Sequence, residues 1–166
     1  MIVRTPLDSR FAFRIAPRAL AALLGVLALT SCLNLSVDNP ANEPSDPTKE
    51  TFAPALHIDI STMQRTPSGV YYKDGPLGSG PAFTGLGILI VSYVGYLKNG
   101  AVFQQGDNVQ ITLANEIVGL QEGLQGMHAG GERLLVIPSA LAFGASAGSV
   151  PPNSTVIFDI VVDAVP

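Results

Sequence analysis

Apolar and polar residues alternate at a period of two through much of the chain beyond residue 55, which predicts strands. Leu56-His57-Ile58-Asp59-Ile60 reads as a short strand, and Val70-Tyr71-Tyr72-Lys73 as a second. The longest predicted strand runs from Ile88 to Leu97, with Leu89, Val91 and Tyr93 on one face and Ile90, Ser92, Val94 and Tyr96 on the other. Lys98-Asn99-Gly100 supplies a turn after it. Val109 to Leu113, Glu132 to Ile137 and Thr155 to Val165 alternate in the same way. One segment departs from this period: Leu120, Leu124 and Met127 lie at i, i+4 and i+7, one face of a helix. Gly123, Gly126 and Gly130 weaken that helix, so it must depend on packing. These elements predict an α+β domain, an antiparallel sheet with one short helix against one face.

The N-terminal third follows neither pattern. Arg4, Arg10, Arg14 and Arg18 precede an apolar run from Ala19 to Leu29 that ends in Leu29-Thr30-Ser31-Cys32. The run suits a signal-peptide core and is short for a membrane span, which needs roughly twenty residues. Its end resembles the bacterial lipobox. That resemblance implies a diacylglyceryl group on the Cys32 thiol and cleavage before it, with a plain secretory signal or a single-pass anchor as the alternatives. Each buried lipid methylene contributes ~0.8 kcal/mol, so two or three chains hold a protein to a bilayer. Residues 33–54 are dominated by Pro, Asn, Ser and acidic residues without apolar period. They read as a flexible tether, or else as an irregular loop packed on the domain. The expected organisation is a lipoprotein signal over 1–31, a tether over 32–54 and a globular domain over 55–166.

Composition narrows the functions. The chain has 166 residues and a net charge of −4. Loss of residues 1–31 removes four arginines and one aspartate, leaving five cations against twelve anions and a charge of −7. An acidic body argues against nucleic acid and against charge-driven binding to anionic lipid. One Cys and two distant His, His57 and His128, argue against a disulfide or a metal centre. No nucleotide-binding glycine fingerprint and no convincing nucleophile–base set is present.

Four segments in register carry a resemblance. Val91-Ser92-Tyr93-Val94-Gly95-Tyr96-Leu97-Lys98-Asn99-Gly100-Ala101-Val102-Phe103 resembles the "V-x-Y-x-G-x-L-x-x-G-x-x-F" segment of FKBP-type peptidyl-prolyl isomerases. Ile117-Val118-Gly119-Leu120-Gln121-Glu122-Gly123-Leu124 is similar to the helix entry of that family. Glu132-Arg133, Ile137-Pro138 and Leu141-Ala142-Phe143-Gly144 follow its "G-x-[KR]-x-x-x-x-I-P-x-x-L-A-Y-G" segment. Val150-Pro151-Pro152 through Ile160 follows "I-P-P-x-x-x-L-x-F-x-V". The match runs from about Thr66 to Val165.

The resemblance implies an antiparallel sheet half-wrapped around a short helix, with an apolar cleft between them. It implies that Tyr93, Phe103, Phe143, Phe158 and Ile117 act on the prolyl bond, Phe103 and Phe158 flanking the ring and the Ile117 N–H receiving a carbonyl. Val109, Ile111, Leu120, Gln104 and Val150 would bind the rest of the substrate. Gln104 stands where the family has Asp, Leu120 where it has Trp and Phe143 where it has Tyr, and the turn between Leu113 and Gly119 is about two residues shorter. Each change keeps the cleft apolar and removes polar guidance, so weakened activity and poor macrolide binding are expected. Taken singly, every one of these apolar residues would be read as core; Val91, Leu124, Leu134, Val136, Val156 and Ile160 are assigned to core outright.

The implied activity is acceleration of Xaa–Pro rotation in exported polypeptides, without cofactor or metal. The expected molecule is a monomer outside the cytoplasm, held to a membrane by its lipid. The alternative is the same fold kept as a binding module or chaperone with isomerase activity weak or lost.

Overall fold

A computed structural model of the chain describes residues 43–145 and 148–166. The expected signal peptide, Cys32 and the first part of the tether lie outside the described residues. The strands are β1 (Gln64–Arg65), β2 (Tyr71–Asp74), β3 (Ile88–Leu97), β4 (Val102–Thr112), β5 (Glu132–Ile137) and β6 (Val156–Ala164), and one helix, α1 (Val118–Gly123), lies between β4 and β5. They form one sheet in the order β1-β2-β5-β6-β3-β4, antiparallel throughout. The expected α+β class and its antiparallel sheet with a short helix are thus observed.

Alternation decides which face is inside. Leu89 and Val91 on β3, Leu135 and Ile137 on β5, and Val156, Phe158, Ile160 and Val162 on β6 are buried, together with Leu113, Leu120, Leu124 and Met127 from the helical side. Each such side chain contributes about 1.5–3 kcal/mol by leaving water. The polar residues of the same strands face outward: Ser92 donates to Asp163 Oδ2 at 2.7 Å and accepts from the Asn108 N–H at 2.9 Å.

The helix is shorter than its apolar spacing suggests. Leu124 is already its C-cap, and Gly126 takes a left-handed φ of 72°. Met127 is buried because the chain beyond the helix pairs with Phe83, whose N–H donates to the Met127 carbonyl at 2.7 Å. Packing makes up for the helix's poor propensity, since Gly119 and Gly123 let its backbone lie directly on Ile137 and Leu135. Arg133 closes its far end, donating from a terminal nitrogen to the Gly123 carbonyl at 2.6 Å and from Nε to Asp74 Oδ1 at 2.6 Å. A cation there complements the exposed carbonyls of the last turn.

Two expectations are corrected. Leu56 to Ile60 is not a strand: 3-10 turns occupy Pro54–Leu56 and Ile60–Thr62, and His57 has a left-handed φ of 49°. Pro54 presets the first turn, and the Asp59 carboxylate accepts the Ser61 N–H at 3.0 Å, a local bond that competes with any ladder. The described end of the tether, residues 43–54, is packed on the domain, as the alternative reading had it. Ser45 and Ser139 exchange hydrogen bonds, each N–H donating to the other's Oγ at 2.8 and 2.7 Å. Pro47 is buried, Glu50 pairs with Lys98 at 3.0 Å, and the Ala53 N–H donates to the Lys98 carbonyl at 2.8 Å. The segment therefore crosses from the end of β5 to the end of β3.

Candidate active site

Between the inner face of β3 and β6 and the entry to α1 lies a cleft of about 220 Å³. Its floor is sheet: Val91 and Tyr93 from β3, Gln104 and Ile111 from β4, Phe158 and Ile160 from β6. Asn115, Glu116, Ile117 and Leu120 wall it on the helix side, and Phe143 reaches in from the loop after β5. A wider, shallower hollow of about 620 Å³ lies over outward-facing residues including Asp107, Glu132 and Asp159. That hollow has no aromatic enclosure beyond Tyr93 at its edge.

The aromatic rings form one cluster. Phe158 stands 6.0 Å from Tyr93 and 5.6 Å from Phe103, and Phe103 stands 5.9 Å from Phe143, centroid to centroid. The two Phe103 contacts are edge-to-face, at 84° and 87°, the arrangement favoured by ring quadrupoles. Gly95 makes the cluster possible, since a Cβ there would come within 2.9 Å of Phe103 and 3.1 Å of Phe158.

Polar groups in the cleft are few. Gln104 Nε2 donates to the Tyr93 hydroxyl at 2.7 Å. The wall is held by Gln121, whose Nε2 donates to the Glu116 carbonyl at 2.8 Å. Ile117 caps α1, and its own N–H has no acceptor among the described residues. No cluster of His, Cys, Asp and Glu among the described residues could hold a metal ion.

Of the residues singled out in the sequence, Tyr93, Gln104, Ile111, Ile117, Leu120, Phe143 and Phe158 come together as lining. Phe103 stands behind them and braces Phe143 and Phe158. Val150 is not at the cleft; it is 4% exposed, within the hydrophobic core. Val109 pairs with Val91 on the edge strand, where it is 37% exposed and lines none of the cleft. Val91 and Ile160 serve as cleft floor as well as core. Asn115 and Glu116 were missed, although they directly precede Ile117 in the recognisable helix entry.

Comparison with known proteins agrees with this geometry. Residues 85–163 match the model of the FKBP-type peptidyl-prolyl cis-trans isomerase family. A probable FKBP-type peptidyl-prolyl cis-trans isomerase of Haemophilus influenzae is 36% identical over 133 residues, covering 76% of this chain and 53% of that one. The chloroplastic isomerase FKBP16-3 of Arabidopsis thaliana is 30% identical over 161 residues, covering 89% of this chain and 72% of that one. Among solved structures, a peptidyl-prolyl cis-trans isomerase from Pseudomonas syringae superposes with a TM-score of 0.59 at 30% identity, covering 61% of this chain and 79% of that one. The chain spans about half the length, or less, of several curated relatives that it matches. Sheet order, aromatic cleft and these matches coincide on one stretch of sequence: the chain belongs to the FKBP-type peptidyl-prolyl cis-trans isomerase family.

Proposed function

We propose that this protein accelerates cis–trans rotation of Xaa–Pro bonds in polypeptide substrates. The observation that carries the reading is the convergence of Tyr93, Phe143 and Phe158 with Ile117 and Leu120 around one small apolar cleft. Amide rotation has a barrier of ~18–20 kcal/mol, and at Xaa–Pro the two isomers are near in energy yet exchange over tens of seconds. No bond breaks, so neither nucleophile nor metal is required. Twisting the C–N bond removes conjugation and draws charge off the carbonyl oxygen. A cleft walled by aromatic and aliphatic groups disfavours the polar planar amide relative to the twisted one, and a shape fitted to the twisted form adds to this. The Ile117 N–H, which has no acceptor among the described residues, supports a role for it in holding a substrate carbonyl.

Protease-coupled or NMR exchange measurements on Leu–Pro peptides test this. Acceleration by micromolar protein is expected, with about tenfold or greater loss on Phe143→Ala, since that side chain lines the cleft and is only half buried. Rates at the buffer level for the unaltered protein would refute it. The second reading, a proline-directed binding module with little catalysis, is favoured by Gln104, Leu120 and Phe143, which depart from the Asp, Trp and Tyr of the family pattern that the sequence resembles. It predicts saturable peptide binding with no rate gain.

The location is proposed from the sequence alone. Leu29-Thr30-Ser31-Cys32 after an apolar run supports a lipid-anchored, extracytoplasmic protein acting as a monomer on exported chains. Mass spectrometry of the N-terminal peptide and detergent-phase partitioning of the protein and its Cys32→Ser variant test it. An unmodified Cys32 would refute the anchor.

A further inference from the structure

Among the residues that line the cleft, Glu116 alone carries a charge. Its main chain is held on both sides: its N–H donates to the Leu113 carbonyl at 3.1 Å, and its carbonyl accepts from Gln121 Nε2 at 2.8 Å. The residue is thereby fixed on the turn directly before Ile117, half buried at the wall of the cleft. The carboxylate has no ion-pair or hydrogen-bond partner among the described residues. Lys49, Lys98 and Arg133 are engaged by Asp46, Glu50 and Asp74, Arg65 lies over the Tyr71 ring at 5.5 Å, and Lys73 is exposed on β2, away from the lining. No cation lines the cleft to offset it. A charge at a half-buried, low-dielectric wall acts more strongly on its neighbours than the same charge in open solvent. The lining is otherwise uncharged, so this carboxylate is the charge that a substrate held in the cleft meets at closest range.

We propose that Glu116 makes the cleft selective for Xaa–Pro segments with a lysine or arginine directly beside the proline, and against those with an acidic residue there. The inference rests on the isomerase reading and refines its substrate class. Successive Cα atoms are 3.80 Å apart, so a chain whose prolyl ring occupies so small a cleft carries its adjacent residues past the wall where Glu116 stands. A basic side chain there meets an unpaired carboxylate. An acidic one meets repulsion and has no cation to turn to.

The test uses the purified full-length chain and two sets of otherwise neutral peptides. One set carries Lys, Leu or Glu before the proline, the other carries them after it. In low salt, kcat/KM for the Lys peptide is expected to exceed that for the Glu peptide by about tenfold in at least one set, with Leu between, the size of one favourable and one unfavourable half-exposed charge contact. The ratio should shrink toward one in molar salt. It should fall to about one in Glu116→Gln and invert in Glu116→Lys. The salt series needs no variant, so it stands even if a substitution impairs folding. Leu peptides accelerated while Lys and Glu peptides run alike in both sets would overturn the selectivity and leave the isomerase reading intact. No acceleration of any peptide would overturn both.

Discussion

A Cβ placed on Gly119 would lie 2.2 Å from Ile137 Cγ2. The helix therefore rests on β5 at a separation that only glycine permits, and the same close approach recurs one turn on, at Gly123 against Leu135. Ile117 and Leu120, which wall the cleft, belong to this helix and its cap, so the contact sets the width of the site as well as the packing of the core.

Gly119→Ala is accordingly expected to destabilise. Forced overpacking typically costs about 1–3 kcal/mol, more than the roughly 1 kcal/mol that Ala adds in helix propensity. Gly87→Ala, where an added Cβ would meet only Phe83 Cε2, at 4.0 Å, and φ is not left-handed, should change stability by less than about 0.5 kcal/mol. Urea denaturation of the two variants makes the comparison. Equal midpoints would show that the helix can move off β5 without cost.

The Gln104–Tyr93 hydrogen bond predicts a shared effect. Tyr93→Phe and Gln104→Ala each remove the same 2.7 Å bond at the cleft floor. A neutral hydrogen bond is worth about 0.5–1.5 kcal/mol, so each should lower kcat/KM on Leu–Pro peptides by roughly two- to tenfold. The double variant should be no worse than the poorer single one, because the second change has nothing left to break. Multiplicative losses would mean that the two residues act separately.

Much of this was readable in the sequence because a sheet with one wet face writes its register as alternation. Leu89 and Val91 against Ser92, or Phe158 and Ile160 against Asp159, could hardly be placed otherwise. Family motifs then marked most of the cleft, Tyr93 and Phe158 included. What could not be read depends on local chemistry or on distant contact. Alternation at Leu56 to Ile60 gave way to Pro54 and the Asp59 side chain. The helical spacing of Met127 hid a strand-like pairing with Phe83. Val109 satisfies the pattern yet stands at the sheet's edge, and Glu116, polar in an apolar motif, carries no periodic signal at all.

Asp159 ties stability to pH. It lies on β6 beside the outer hollow that also holds Glu132 and Asp107, and desolvation raises its carboxyl above the ordinary 3.8. The native state thus binds the proton more tightly than the unfolded chain. At low pH the group is protonated in both states and costs nothing. As pH rises from 3.8 through the raised native value, the unfolded chain ionises first and stability falls. Asp159→Asn should therefore be more stable than the unaltered protein at neutral pH, by a margin that shrinks as the solution is acidified below that window. Asp59, held low by hydrogen bonds from Ser61, acts in the opposite sense, so total stability against pH conceals the effect. The difference between variant and parent in urea midpoint, followed over the acid range, isolates it; a margin independent of pH would remove Asp159 as its source.

Ser45 and Ser139 connect the N-terminal segment to the cleft. Ser139 opens the 3-10 turn Ser139–Leu141, its carbonyl accepts the Gly144 N–H at 2.8 Å, and Phe143 projects from the loop so formed. Among the described residues, the Ser139 N–H and Oγ are both satisfied by Ser45 alone. Removing residues before Ala55 leaves those groups to water or to nothing and uncovers the ends of β3 and β5. Each lost pairing of a buried group costs about 1–3 kcal/mol. A chain that begins at Ala55 should therefore melt at a lower temperature. Its amides from residue 139 to 144 should exchange faster with deuterium than those of β6. The rate gain on Leu–Pro peptides should drop, because Phe143 is no longer held over the cleft. Ser45→Ala should reproduce the local exchange in milder form while leaving the rest of the segment attached. Unchanged protection over 139–144 in both proteins would mean that the loop holds its shape without the segment, and that the serine pair only fastens the N-terminal chain to the domain.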